Sequence, residues 1–224
     1  MIRKSSSIFA ILGYDPGGKQ KNGVAIITVD PIIGICAKVN TTDNVNQAFQ
    51  WFTDKVGTET EVKAAGIDTL LCWSTGDSGW RLVDKRLKEK YPFVQNSVMA
   101  SNALYGAMVV QGMSTAMLLK KEWSEIILNE THPKVQYYAQ TKKPYKFQGK
   151  IIKWLRRQIN CADFPQIRNE HEWDALYSAW ITFRAIQNRA TPDLLDVTNS
   201  RASATMLYPV CPISHIHYYW PSWK

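Results

Sequence analysis

Ile11-Leu12-Gly13-Tyr14-Asp15-Pro16-Gly17-Gly18, followed by the apolar run from Gly23 to Val29, reads as a strand, a tight turn and a second strand beside the first. Asp15 stands where the first strand ends. Packing explains a carboxylate there poorly, because strand centres bury apolar groups and a buried charge is costly. Pro16 and the two glycines turn the backbone away at once and leave room before the carboxylate for a metal, a phosphate or both. Asp-Pro-Gly is also a common turn, in which the aspartate merely caps the backbone. The stretch by itself leaves both roles open.

Working outward, residues 8–14, 23–29 and 32–39 form three consecutive strand candidates, the last two joined through Asp30-Pro31 as a hairpin. Asp43 is placed to cap a helix carrying Ala48, Phe49, Phe52 and Val56. Val62 to Ile67 is a fourth strand, with Asp68 at its end or, if Thr69 to Trp73 continues it, inside it. A polar turn leads to a basic amphipathic segment from Arg81 to Lys90. A methionine-rich helix follows over about 103–121, then a fifth strand, Glu125 to Asn129, running into Glu130-Thr131-His132-Pro133. A short helix, a Lys-Lys-Pro loop and a helix from Gln148 to Ile159 precede the last long helix, Asn169 to Asn188. That helix carries Trp173, Leu176, Trp180 and Phe183 at helical spacing. The order predicts an α/β domain over residues 1–190, a mixed five-stranded sheet with helices on both faces. Residues 191–224 form an aromatic C-terminal extension. Its many rings predict packing on the body, on a protein partner or on a second copy.

The 224 residues are 45% apolar and 21% charged, a balance that suits a globular chain and excludes a disordered one. Arg3-Lys4 before an apolar run superficially suggests a leader. Gly13, Asp15 and Pro16, and the lack of a small-residue cleavage site, favour a β-strand instead. No window of 18 apolar residues predicts a membrane span. The four cysteines, Cys36, Cys72, Cys161 and Cys211, form no CxxC pair, which argues against a zinc module. Cys36 and Cys72 lie in apolar segments and predict buried thiols in a reducing cytoplasm.

The net charge of +8 is concentrated. Lys134, Lys142, Lys143, Lys146, Lys150, Lys153, Arg156 and Arg157 fall in one segment that holds no acidic residue, while the rest of the chain balances. Tyr137, Tyr138, Tyr145, Phe147 and Trp154 are interleaved with them. Such a segment attracts a polyanion and offers rings for bases to stack on. Lys142, Lys143, Lys146, Lys150, Lys153, Arg156 and Arg157 are the candidate nucleic-acid-binding residues, for DNA or RNA alike.

Four acids fall where the expected fold brings chain ends together. Asp15 ends the first strand, Asp68 lies at the fourth, Glu130 follows the fifth, and Asp174 sits in the first turns of the last helix. Parallel strands direct their carboxyl ends to one edge of a sheet. Carboxylates gathered there repel unless cations lie between them, and oxygen-only donors favour Mg²⁺ or Mn²⁺. Two such ions about 4 Å apart activate water and hold a phosphodiester. His171 precedes Asp174 by three residues and shares its helical face, where it can act as a general base or assist a metal.

At these residues the chain resembles a known group. Gly13-Tyr14-Asp15-Pro16-Gly17 resembles the first-strand motif of RuvC-type members of the ribonuclease H-like superfamily. His171-Glu172-Trp173-Asp174-Ala175-Leu176-Tyr177-Ser178-Ala179 resembles their C-terminal helix motif. Together with Gly66-Ile67-Asp68 and Glu130-Thr131-His132-Pro133, the set is most similar to the DUF429 family, a group of predicted nucleases of that fold. The resemblance spans about residues 8–188 and leaves the aromatic tail outside. It implies metal-binding positions at Asp15, Asp68 and Asp174, with Glu130 or His171 beside them. Two departures stand out. Asp68 occupies a position where RuvC-type enzymes usually carry the longer Glu. The further acid that often accompanies the histidine has its counterpart in Glu170, four residues before Asp174, whereas Glu172 points elsewhere.

These readings converge on a divalent-metal-dependent nuclease using two Mg²⁺ or Mn²⁺ ions, with Asp15, Asp68, Glu130, His171 and Asp174 as its candidate catalytic residues. One alternative is a catalytically silent nucleic-acid-binding or assembly protein of the same fold. Another is a nucleotide-binding phosphotransferase or ATPase that uses Asp15-Pro16-Gly17-Gly18-Lys19, although that stretch lacks P-loop spacing.

Overall fold

The computed structural model describes residues 7–74, 78–100, 106–188, 191–195 and 216–220. Three antiparallel strands open the chain: β1 (Phe9–Asp15), β2 (Asn22–Asp30) and β3 (Gly34–Thr42). Helix α1 (Val45–Lys55) then crosses to β4 (Glu61–Ile67), which pairs parallel with β1. Asn44, not Asp43, caps α1, accepting from the Gln47 amide at 3.0 Å. After α2 (Leu82–Lys90), a 3-10 turn (Pro92–Ser97) and α3 (Gly106–Glu122), β5 (Ile127–Glu130) adds in parallel to β4. Helices α4 (Pro133–Thr141), α5 (Gly149–Ile159) and α6 (Glu170–Gln187) follow.

The sheet is mixed and flanked by helices, as the pattern predicts, and among the described residues it has six strands in the order β3-β2-β1-β4-β5-β6. The sixth, β6 (Ile216–His217), comes from the aromatic tail and pairs parallel with β5. The described part of the tail therefore packs on the body. Tyr218 and Trp220 are fully buried, and Trp220 Nε1 donates to Tyr91 Oη at 3.2 Å. Asp193 ties the tail down, accepting from the Tyr218 amide at 3.0 Å and bonding His217 Nδ1 at 2.8 Å. Covering the β5 edge in this way removes a row of unpaired backbone groups.

Two apolar layers flank the sheet. Leu12, Tyr14, Ala65 and Ile67 point into the layer that packs α1 and α3, while Ile11, Ala25 and Ala64 point into the layer formed by α5 and α6. Helix α6 is buried almost all round, which a central helix requires of its sequence. It lies on a furrow of glycines. A Cβ on Gly13 would stand 2.0 Å from the Ala175 carbonyl oxygen, one on Gly23 2.0 Å from that of His171, and one on Gly66 2.3 Å from that of Ser178. Gly13 and Gly66 are register partners on adjacent strands, so the furrow runs across the sheet under the helix.

The interleaved rings of the basic segment make structural contacts, and Tyr137 and Trp154 also line a basic surface groove. Tyr137 meets Trp154 edge-on at 5.0 Å and Trp173 at 5.8 Å, Tyr145 meets Trp173 at 5.2 Å, and Trp173 stacks on Tyr177 at 4.8 Å. These contacts clamp α4 and α5 onto α6. Cys72 is disulfide-bonded rather than a buried thiol, which removes one of the two thiols behind the expectation of a reducing compartment. Among the described residues, no helix is long and apolar enough to cross a membrane.

The furrow makes a direct prediction. Gly13→Ala should cost on the order of 3 kcal/mol, because its methyl group meets rigid backbone. Gly18→Ala, whose Cβ would meet nothing within 4 Å, should stay within about 0.5 kcal/mol of the parent. Urea denaturation of the two variants checks the difference, and equal stabilities would refute the close-packing account.

Candidate metal and nucleic-acid site

The parallel pairing of β1 and β4 puts Asp15 and Asp68 at one edge of the sheet, and the Asp68 amide extends the ladder by donating to the Tyr14 carbonyl at 2.8 Å. The fourth strand stops at Ile67, so Asp68 lies just beyond it and not inside a longer strand. Asp15 lies in register with Gly23, directly under the first turn of α6. That contact brings His171 Nδ1 to 2.7 Å from Asp15 Oδ2. Asp174, one turn further along the helix, faces the same edge. Asp15 and Asp174 are 4% and 3% exposed, and Asp68 is half-buried.

The turn after Asp15 does not use that carboxylate as its cap. Asn22 holds it instead. Asn22 Oδ1 accepts from Tyr14 Oη at 2.6 Å and from the Gly17 amide at 3.3 Å, and Asn22 Nδ2 donates to the Gly18 carbonyl at 3.0 Å. Gln111 of α3 pins the turn by donating to the Gly17 carbonyl at 2.6 Å. Asp15 is thereby left to face α6.

Three acids interact at this edge. Burial raises the pKa of Asp174 well above the usual carboxylate range, and the charges of Asp15 and Asp68 push it further. Burial and then the Asp15 charge do the same to Asp68. Asp15 is also raised by burial, with the His171 hydrogen bond opposing the shift. Asp174 Oδ1 is buried without a hydrogen-bond partner. Burial alone would cost a carboxyl its charge, so a cation at this position is the physical complement of the group.

Lys134 supplies a positive charge there. Burial works against its ammonium, yet Asp174, Asp68, Glu170 and Asp15 together push its pKa up. Its Nζ lies 5.3 Å from the centre of the Tyr145 ring. The Tyr145 hydroxyl is itself pushed upward by burial and by the nearby Asp174 charge, and it closes no well-formed hydrogen bond. Neither Lys134 nor Tyr145 was a candidate at the acidic site. Lys134 was readable only as one more basic residue, since nothing in the sequence places the start of α4 beside Asp174. Among the described residues, no three acidic, histidine or cysteine side chains already enclose a metal-sized space.

Glu130, expected beside these acids, belongs to the other face of the sheet. The β4–β5 register pairs Gly66 with Asn129 and Ile67 with Glu130. Asn129 therefore faces α6, donating to Thr182 Oγ1 at 2.8 Å, and Glu130 faces away with Ile67. There Glu130 accepts from Arg81 Nη1 at 2.9 Å and Nη2 at 2.5 Å, and from the Leu71 amide at 2.9 Å. Arg81 holds Asp84 with two further bonds of 2.8 Å. Both oxygens of Glu130 are committed, and it serves as the buried counter-ion of Arg81. Glu172 is likewise structural, held by Arg168 Nε at 2.9 Å and the Arg168 amide at 2.7 Å.

Beside Asp68 opens a cavity of about 320 Å³ whose walls include Lys134 and His132. Burial lowers the His132 pKa to about 4, so its imidazole is neutral at neutral pH. Farther out, α5 buries Ile151, Leu155 and Ile159 and turns its charges to solvent. Lys143, Lys146, Lys150, Lys153, Arg156 and Arg157 line a groove of about 820 Å³, with no acid among the described residues of its wall. Lys142 is outside it. That residue ends α4 in the left-handed conformation, with its ammonium 5.6 Å from the centre of the Tyr91 ring.

No protein-family model matches the chain, and no curated protein does. Among solved structures, the chain is similar to Thermus thermophilus RuvC, at 12% identity and a TM-score of 0.43, over 80% of this chain and 97% of that one. It is also similar to T. thermophilus RuvC in complex with a Holliday junction substrate, at 13% identity and a TM-score of 0.39, over 80% and 96% of the two chains. The likeness to the DUF429 family rests on the quoted motifs alone.

The two kinds of buried acid make opposite predictions. The folded-state pKa of Asp174 lies above its ordinary value of 3.8, so the unfolded chain loses this proton first as pH rises. The stability contributed by the protonated group is complete below about pH 4 and is lost as pH rises through the raised value. In EDTA at pH 7, Asp174→Asn should therefore raise the melting temperature by a few degrees, with the gain vanishing toward pH 4. Glu130→Gln should lower stability by about 3 kcal/mol, because it breaks a buried ion pair. Thermal melts across pH check both signs.

Proposed function

We propose that this protein is a divalent-metal-dependent phosphodiesterase that cleaves nucleic acid, with the ribonuclease H-like arrangement that its motifs suggest. One observation carries the reading: three mutually repelling carboxylates share one sheet edge, and Asp174 keeps a buried oxygen without a partner. Asp15, Asp68 and Asp174 offer oxygen donors suited to Mg²⁺ or Mn²⁺. Such ions, when bound, lower the pKa of water and stabilise a departing oxygen.

The chain's own residues do the rest. Asp15, when ionised, accepts the Nδ1 proton of His171, which fixes the ring and leaves Nε2 as its proton acceptor. His171 is 24% exposed, so that nitrogen can take a proton from water. Lys134 balances the acidic edge. The α5 groove grips phosphates and so positions the strand without reading its sequence. Glu130 takes no part in this scheme except through Arg81.

The Lys134 ammonium, a group that can hold a phosphate beside the acids, supports a second reading, a protein that binds nucleic acid without cutting it. The phosphotransferase reading draws less support, because the Gly17 amide that would meet a phosphate already donates to Asn22.

Purified protein with Mn²⁺ should cleave labelled single-stranded, duplex or branched nucleic acid. Asp15→Asn and Asp174→Asn should each reduce the rate about 100-fold or more while binding persists. Binding without cleavage in the parent protein would favour the second reading, and undiminished cleavage by both variants would refute the proposed centre.

A further inference from the structure

The cavity beside Asp68 and the groove on α5 both border a third hollow. Between them lies a cleft of about 420 Å³, walled by the 3-10 turn on one side and the α4–α5 loop on the other. Asn96, Ser97 and Lys134 belong to both the cleft and the Asp68 cavity, and Pro144 and Lys146 belong to both the cleft and the groove. Shared wall residues thus set the groove, the cleft and the Asp68 cavity side by side, a corridor from the basic face of α5 past Lys146 and Lys134 to Asp68.

We propose that this corridor binds a single polynucleotide strand and admits it, unpaired, to the acidic edge. The proposal rests on the nuclease reading only for what happens at the end of the corridor. Three observations carry it. The cleft has a volume of about 420 Å³, on the scale of a pocket for one small ligand such as a nucleotide and not of a duplex segment. Asp68 on the cavity wall is half-buried and its neighbours Asp15 and Asp174 are almost fully covered, a recess that suits an unpaired strand better than a phosphate on the outside of a double helix. The charges and rings also follow the requirements of a single strand. Lys146 and Lys134 mark the path for phosphates, and Phe93, 66% exposed, forms part of the wall. Phe93 stacks one face on Tyr138 at 5.2 Å and 9°, a backing that holds the ring rigid while much of it stays open to a base. Glu170, the only acid among the described residues of the cleft wall, stands one helical turn before Asp174.

Fluorescence anisotropy in EDTA tests this without any cleavage. The probes are a labelled single-stranded 20-mer, as DNA and as RNA, and the blunt DNA duplex of the same sequence. The parent protein should bind at least one single strand about tenfold more tightly than the duplex. Phe93→Ala should weaken single-strand binding about tenfold and leave duplex binding within about twofold. It should also abolish the fluorescence change of a 2-aminopurine placed in the strand. Lys146→Gln, at an exposed position, should lower the salt slope for the single strand by about one. Thermal melts establish that both variants are folded. Duplex binding as tight as single-strand binding, or equal weakening of both by Phe93→Ala, overturns the proposal. A protein that shows the expected binding but never cuts with Mn²⁺ keeps the corridor and loses the nuclease reading. One that cuts, yet binds duplex equally well, does the reverse.

Discussion

The contact of helix α6 with the glycine furrow is the constraint on which the rest depends. Three carbonyls of the helix, those of His171, Ala175 and Ser178, lie where side chains on Gly23, Gly13 and Gly66 would otherwise stand. Backbone against backbone is the closest approach a helix can make to a sheet, and it removes the freedom to slide that a layer of side chains would allow. The approach sets the height of His171 and Asp174 above Asp15. It also explains why α6 is apolar on nearly every side yet carries an aspartate in its buried part.

Two charged networks sit on opposite faces of the same sheet and have opposite characters. On one face, Arg81 satisfies Glu130 and Asp84 with paired hydrogen bonds, which is how a protein stabilises buried charge for structural ends. On the other, Asp15, Asp68 and Asp174 repel one another, the Lys134 charge acts on all three, and one oxygen of Asp174 is left unbonded. The first network is closed and the second is open. An open network is costly to fold, and this cost is the physical reason to read the acidic edge as a binding site.

Ring packing in the basic segment gives that segment two layers. Tyr137, Tyr145 and Trp154 hold α4 and α5 against Trp173 and Tyr177, while the lysines and arginines stay outside. The clamp keeps the charged groove rigid with respect to α6, and so with respect to Asp174. A flexible basic arm would attract a polyanion equally well but would not align it.

Much of this protein was legible in its sequence. Period-two and helical patterns placed the first five strands and the helices to within a few residues, because those periods follow from which faces are buried. Asp15 was conspicuous because a carboxylate at a strand end needs a partner, and the basic run because charge is additive along a segment. Glu130 shows the limit: being one residue off in parity sends a side chain to the opposite face, and only the β4–β5 register decides that. Asn22 in place of Asp15 as holder of the turn, Lys134 beside the acids, and the tail as a sixth strand are likewise contacts between distant segments. The sequence by itself determined local periodicity and charge. Only the tertiary structure decided which of those charges meet, because that depends on register and on the close approach of α6.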